Sequence, residues 1–341
     1  MRFATAPSPH LTPPNSVGRI MLQVLMALIP GALALIWQFG PGTLIHIVIA
    51  LITAEIAEAS ILRLRRRPVA PFLLDYSAAL TAVLLALSLP PLAPWWLTVF
   101  GTLFAIVIAK QLYGGIGYNP FNPAMVGYVV LLISFPKYMT AWLPPLDLAS
   151  VNLALTDTVA LIFQQKSAIP FDALTQATPL DTVKTQLGLA RGMDEIQSGS
   201  QFGVLAGQGW QWVNFWYLAG GMWMLHRGVI AWQIPASFLA SLALTAMLWF
   251  LIDPSHYPTP VFHLFSGATM LGAFFIATDP VSAATTPRGR LIYGAFAGIL
   301  VYVIRSWGGY PDGVAFAVLL MNLAAPTIDY YNRPRVYGHP E

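Results

Sequence analysis

Between Pro170 and Thr185 the chain reads Asp172-Ala-Leu-Thr175-Gln176-Ala177-Thr178-Pro179-Leu180-Asp181. Two hydroxyls, an upstream carboxylate and a small residue beside the second hydroxyl stand at fixed offsets there. A threonine hydroxyl can be esterified to phosphate, and the flanking residues decide which enzyme modifies it. The spacing here is Asp-x-x-Thr-x-Ala-Thr. Bacterial flavin transferases read Asp-x-x-[Ser/Thr]-Gly-Ala-Thr and place FMN on the last Thr through a phosphoester. Asp172, Thr175, Ala177 and Thr178 match that pattern, and Gln176 stands where Gly is usual. The candidate acceptor is therefore Thr178, with Asp172, Thr175 and Ala177 as its context. The alternative is an ordinary solvated loop that contains a threonine.

A second Ser-Gly-Ala-Thr runs from Ser266 to Thr269. It keeps the Gly but has His263 where the acid belongs. It also falls in an apolar stretch closed to a soluble transferase, so its small residues read as close helix packing. Two other segments join polar groups to prolines: Asn119-Pro-Phe-Asn122-Pro and Ala-Thr-Asp279-Pro. Proline ends helices and frees backbone carbonyls. Such ends can bind an isoalloxazine edge or a cation, or can simply turn the chain, and the residues leave both open. The six histidines show no metal-ligand spacing,. Gly114-Gly-Ile-Gly lacks both the strand–helix context of a dinucleotide fold and a P-loop lysine,.

The elements that must position these residues are set by composition. The chain has 341 residues, 57% hydrophobic and 9% charged, where soluble domains carry about 25% charged residues. It reads as an all-α polytopic membrane protein. Apolar segments at 20–38, 43–61, 72–90, 95–112, 123–142, 211–226, 229–251, 261–277, 291–304 and 313–328 give about ten transmembrane helices, the sixth and ninth short,. The polar, Pro-rich residues 1–19 read as a cytoplasmic arm rather than a cleaved signal peptide. The organisation expected is that arm, a first membrane half at 20–142, a loop at 143–210 carrying the flavin site, a second half at 211–328, and a cytoplasmic tail at 329–341. There is no cysteine, so thiolate-held iron–sulfur clusters and disulfides are excluded, and any electron carrier must be organic. The net charge of +3 is scattered over span ends, so nucleic acid is not an expected partner,.

The two halves resemble each other. Gly114-Gly-Ile-Gly-Tyr leads into the fifth span as Gly308-Gly-Tyr leads into the tenth, and Ser77-Ala-Ala opens the third as Ser266-Gly-Ala opens the eighth. Two five-span halves must be oppositely oriented, which is the inverted-repeat plan whose sites lie at the repeat interface. Charges inside spans default to function. Glu55 and Glu58 share a face of the second span. Glu58 is expected to pair with the following arginines, Arg63 and Arg65 to Arg67, with Glu55 the deeper of the two. Trp37, Trp95, Trp96, Trp142, Trp210, Trp212, Trp249 and Trp307 fall near one set of span ends, as an interfacial belt would.

The segments Gly114–Tyr128, Ala177–Lys184, Ser266–Val281 and Met321-Asn322 resemble the RnfD family, whose members serve in bacterial Rnf ion-translocating electron-transport complexes. The resemblance runs from about residue 20 to the C-terminus. The NqrB component of the Na⁺-translocating NADH:quinone reductase is similar, but usually has a longer N-terminal part and keeps the Gly before Ala-Thr. The resemblance implies an inner-membrane redox subunit, not catalytic alone, in a complex linking ferredoxin and NAD⁺ to H⁺ or Na⁺ movement. It implies covalent FMN on Thr178 facing the periplasm and a second, non-covalent flavin such as riboflavin. For that second flavin or an ion, Asn119, Asn122 and Asp279 are the candidate residues. The implied partners are the A, B, C, E and G subunits and a flavin transferase. Other functions in view are an NqrB-like subunit and a flavin-free small-solute transporter.

Basic residues set the orientation. With the N-terminus inside, Arg2, Arg19, Arg63, Arg65, Arg66, Arg67, Lys110, Arg227, Arg288, Arg290, Arg333 and Arg335 lie on the cytoplasmic side. Only Lys137, Lys166, Lys184, Arg191 and Arg305 lie opposite. Alkaline phosphatase fused after residue 195 is therefore expected to be active and a C-terminal fusion inactive; the reverse pattern overturns this topology.

Overall fold

The computed structural model describes residues 16–150, 153–165 and 170–332. Most of the N-terminal arm and of the C-terminal tail lies outside them. The described residues are helical, with two isolated β-bridges and no strand. The principal helices of the first half are α1 (Val17–Phe39), α2 (Gly42–Leu64), α3 (Ser77–Ser88), α4 (Trp95–Gln111) and α5 (Pro123–Ser134). Short helices follow: α6 (Leu155–Gln164), α7 (Phe171–Leu174), α8 (Pro179–Gly188) and α9 (Met193–Gln197). The second half holds α10 (Trp210–His226), α11 (Gln233–Ile252), α12 (Pro260–Phe265), α13 (Thr269–Leu271, continuing as a π-turn over Gly272–Ile276), α14 (Pro287–Trp307) and α15 (Val314–Tyr331).

Each of the ten apolar segments contains helix, and the chain is an all-α polytopic membrane protein. Among the described residues, α1, α2, α11, α14 and α15 are long and apolar enough to cross a bilayer. These helices are apolar on both faces, as lipid requires. On α1, Met21, Val24, Leu28 and Leu35 are buried, while Leu22, Met26, Ile29, Leu33 and Trp37 face outward.

The sixth segment is short, as expected, with a helix of 17 residues, whereas the ninth forms one of 21. The ninth is longer than its apolar run because Thr286 caps it and Pro287 occupies its first turn, carrying Arg288 and Arg290 into the helix,. Shorter still, α3 and α5 have 12 residues each, about 18 Å of helix against a hydrocarbon core of about 30 Å. Tyr76, left-handed at φ 57°, precedes α3, and Pro90-Pro91 follow it. Pro136 ends α5 at Ser134,. The eighth span is broken between α12 and α13.

The packing matches an inverted repeat. α1 lies along α10, and α5 along α15, so equivalent spans of the two halves meet each other. Small residues let them close. A Cβ on Gly31 would fall 2.2 Å from the Tyr217 ring, and one on Gly220 would fall 2.1 Å from the Ala27 carbonyl oxygen.

A buried cation also recurs. Lys110 Nζ, at the end of α4, donates to Glu58 Oε1 and to Ser77 Oγ, both at 2.7 Å. Arg305, near the end of α14, donates to the Ser266 carbonyl at 3.1 Å. Lys110 precedes Gly114-Gly115 as Arg305 precedes Gly308-Gly309, and Ser77 corresponds to Ser266. Glu58 is thus buried at 1% exposure and paired with Lys110, not with the arginine cluster, and Glu55 is the less buried of the two. Arg67 turns instead to the Gly114 carbonyl.

Removing one member of a buried ion pair strands the other and costs about 3–5 kcal/mol, whereas replacing both with apolar groups costs far less. Lys110→Met should lower the thermal unfolding midpoint in detergent sharply, and Lys110→Met with Glu58→Leu should recover most of the loss. A double variant no better than the single one would show that the pair is not what stabilises this end of the bundle.

Candidate functional site

Thr178 is the N-cap of α8. Its backbone is extended (φ −66°, ψ 158°), Pro179 fills the first helical position, and its Oγ accepts from the Asp181 amide at 3.3 Å,. The side chain is half-buried. α8 is fixed on three sides. Leu180 and Val183 pack with Met193, Ile196, Ala206 and Phe262. The Gln176 amide donates to the Trp142 carbonyl at 2.8 Å, tying the acceptor segment to the end of the first half. Lys184 Nζ donates to the carbonyls of Gly308 and Tyr310, tying it to the end of α14. Burial pushes the Asp181 carboxyl up while Lys184 pulls it down; burial pushes the Lys184 ammonium down while Asp181 pulls it up. The rest of the acceptor pattern lies alongside: Asp172 is exposed on α7, Thr175 ends that helix, and Ala177 is exposed.

Thr178 lies on the wall of a cavity of about 1020 Å³, a figure that includes the solvent at its mouth. Trp142, Trp210, Tyr128 and Tyr217 supply aromatic walls, and Gly267, Ala268 and Asp312 also line it. The cavity uses the C-terminal ends of α1, α3 and α5 (Leu35, Leu87, Leu132) and the N-terminal ends of α10 and α15 (Trp210, Val314). It therefore sits between the halves, at one end of the bundle. Trp210 is buried and packs at a tilt against Phe39 and edge-on against Trp142. Trp142 and Trp210 line this cavity rather than forming part of a lipid-facing belt.

The break between α12 and α13 shapes the cavity floor. Gly267 is left-handed at φ 56°, and a Cβ there would lie 2.4 Å from Asp312, so the turn needs glycine. Asn214 of α10 reaches across the break. Its amide donates to the carbonyls of Phe265 and Gly267, and its oxygen accepts from the Met270 amide. Arg305 donates to the His263 carbonyl, the Ser266 carbonyl, Thr269 Oγ1 and Asp312. Asp312 accepts in turn from the Ala268 amide at 2.8 Å. Thr269 is fully buried and its hydroxyl donates to two carbonyls, so the second Ser-Gly-Ala-Thr is structural in this fold.

A second cavity lies at the other end of α1, α3 and α10. It is lined by Ile20, Met21, Ser77, Lys110, Met224 and, from the two proline-broken turns, Asn119, Asn122 and Asp279. The structure thus brings these three candidates to one cavity, with residues from both halves. Asn122 caps α5, and its backbone amide donates to Asn322 of α15 at 3.0 Å. Asn322 also donates to the Ser282 carbonyl and the Tyr293 hydroxyl. Asn119 donates to the Phe121 carbonyl. Asp279 accepts from the Val281 amide and from Ser282 Oγ, which closes its own turn. Among the described residues no cluster of His, Asp or Glu has the geometry of a metal site.

Sequence reasoning placed Lys110 and Arg305 at span ends and missed their burial. The signal was their place before the paired Gly-Gly turns. Asn214 and Tyr217 were missed as well; an asparagine inside an aromatic, apolar span was the available sign.

A model of the NQR2, RnfD, RnfE family covers residues 4–338. The chain belongs to this family. The D-type subunit of the ion-translocating oxidoreductase complex of Escherichia fergusonii is 57% identical over 349 aligned positions, which cover 99% of both chains. The proteins of the same name from Salmonella typhi and Salmonella typhimurium show the same identity and coverage. The sequence-level resemblance to RnfD is therefore confirmed at the level of the family.

Proposed function

We propose that this member of the NQR2, RnfD, RnfE family is the D-type subunit of an ion-translocating oxidoreductase complex and carries FMN as a phosphoester on Thr178. The observation that carries the reading is the placement of Thr178. A threonine in a flavin-acceptor spacing stands half-exposed on the wall of an aromatic-lined cavity between the two halves,. Bound there, FMN supplies the one- and two-electron chemistry that no side chain of a cysteine-free chain offers.

The residues present suit such a group. The cap bond from the Asp181 amide uses a lone pair of Thr178 Oγ rather than its proton, so an ester can replace the proton without loss of the cap. The phosphodiester charge then falls at the N-terminus of α8, where the helix dipole favours an anion,. Gln176 in place of Gly is accommodated because its backbone pairs with Trp142 in an extended bridge that does not need glycine's freedom. The contacts of Lys184 and Gln176 hold Thr178 against both halves, so its position over the cavity follows the repeat interface.

The relatives' name describes one component of a complex. The partners in this reading are the A, B, C, E and G subunits of an Rnf complex, which supply the iron–sulfur centres, and a flavin transferase for maturation. The location is the bacterial inner membrane with the 143–210 segment periplasmic and both termini cytoplasmic. The second cavity, with Asn119, Asn122 and Asp279, is the place for a non-covalent flavin such as riboflavin or for the coupling cation. The flavin-free transporter reading has the inverted repeat in its favour but gives Thr178 and its context no role.

Thr178→Ala should abolish the in-gel flavin fluorescence of the denatured chain while membrane insertion persists. Fluorescence that survives in that variant, or that is lost only in Thr269→Ala, sinks the assignment. For the second cavity, Asp279→Asn keeps the size and removes the charge. If Asp279 compensates a cation, the variant retains covalent FMN and loses the membrane potential coupled to ferredoxin-driven NAD⁺ reduction in vesicles. Normal coupling would leave Asp279 as a turn residue only.

A further inference from the structure

Tyr217 sits in the middle of α10 and is 3% exposed. Its ring lies against Gly31 of α1, where any side chain would collide with it, and its edge meets Phe275 with ring centroids 5.9 Å apart. Those contacts fix the ring. Its hydroxyl is buried and has no hydrogen-bond partner, although buried polar groups are nearly always paired. The residue lines the Thr178 cavity, whose other walls near it are Leu35, Met125, Val213 and Leu271. An unpartnered phenol on a fixed residue that lines an apolar, aromatic cavity is suited to a flat ligand that carries its own acceptors. An isoalloxazine has acceptors of that kind along one edge, at its ring nitrogens and carbonyl oxygens.

We propose that the Tyr217 hydroxyl is the hydrogen-bond donor to the isoalloxazine edge of the flavin held by Thr178, and that it sets the redox potential of that flavin. This rests on the assignment of FMN to Thr178. The hydroxyl touches the cofactor directly and moves no proton. Reduction places negative charge on the ring nitrogens and carbonyls, and a donor at that edge stabilises the charged form more than the neutral one. Losing the donor lowers the midpoint potential. Phe275, the ring on which the Tyr217 edge rests, lines the second cavity. Tyr217 and Phe275 therefore form part of the partition between the two cavities.

The test uses the full chain, co-expressed with a flavin transferase and purified in detergent. Subtracting the titration of Thr178→Ala isolates the covalent flavin from any other flavin bound. Tyr217→Phe keeps the ring, its packing on Gly31 and its contact with Phe275, and removes only the hydroxyl. The expected result is unchanged covalent flavin by in-gel fluorescence, a lower midpoint potential by spectroelectrochemical titration, and a shift of the flavin's visible absorption band. Tyr302→Phe, at a buried tyrosine that does not line the cavity, should move neither. An unchanged potential and spectrum in Tyr217→Phe overturns the proposal and leaves the hydroxyl to a buried water. Equal shifts in Tyr217→Phe and Tyr302→Phe overturn it too, because they would mark a general loss of packing. A wild-type chain without covalent flavin overturns the assignment of Thr178, and this donor with it.

Discussion

The guanidinium of Arg305 holds the fold open where a continuous helix would close it. A span broken between Phe265 and Thr269 exposes carbonyls at the end of α12 and amides at the start of α13, and in a membrane no water satisfies them. Arg305 takes the carbonyls of His263 and Ser266 and reaches Asp312, and Asp312 takes the Ala268 amide. Asn214 completes the set from the other side. A guanidinium suits this place because its donors are planar, numerous and permanently charged. Lysine's three donors could not serve two carbonyls, the Thr269 hydroxyl and a carboxylate at once,. Because these carbonyls and amides are held, Gly267 and Ala268 can line the Thr178 cavity.

The first half solves the same problem with a different group. Lys110 reaches Ser77 at the start of α3 and pairs with Glu58, which also accepts from Gln111. Here the chain enters α3 through a turn closed by Asp75, so there are fewer loose carbonyls and an ammonium is sufficient. The two halves thus share a buried cation at equivalent places and differ in how many backbone groups it must hold. Each cation stands near one end of the bundle, and each end has a cavity between the halves.

Much of this was legible in the sequence, and what was not has a physical reason. Composition and hydropathy gave an all-α membrane protein, and the acceptor spacing pointed to Thr178, which does lie at a cavity. The paired Gly-Gly and Ser-x-Ala segments gave the repeat. The lengths of α3 and α5 were misread because their apolar runs continue past the helix ends. Hydropathy cannot distinguish apolar helix from apolar turn, and the stops come from Tyr76, Pro90 and Pro136. Glu58 was assigned to the nearest arginines in sequence. Its partner is 52 residues away, and only the packing of α2 against α4 brings them together. Tyr217 carried no sequence signal because its role depends on Gly31, a residue of another span.

The contact between α1 and α10 links these features to function. Gly31 and Gly220 let the two helices approach closely, and that approach fixes both the Tyr217 ring and the width of the Thr178 cavity. The acceptor segment is anchored to this same interface, through Trp142 on one side and the Gly308–Tyr310 carbonyls on the other. A relative movement of the halves would therefore shift Thr178 and the cavity walls together. The second cavity opens between the same halves at the other end of α1 and α10, so such a movement would reach it as well. One interface joins the Thr178 cavity at one end with a cavity containing Lys110 and Asp279 at the other. That gives the fold a mechanical route between its two cavities that does not require them to share an atom.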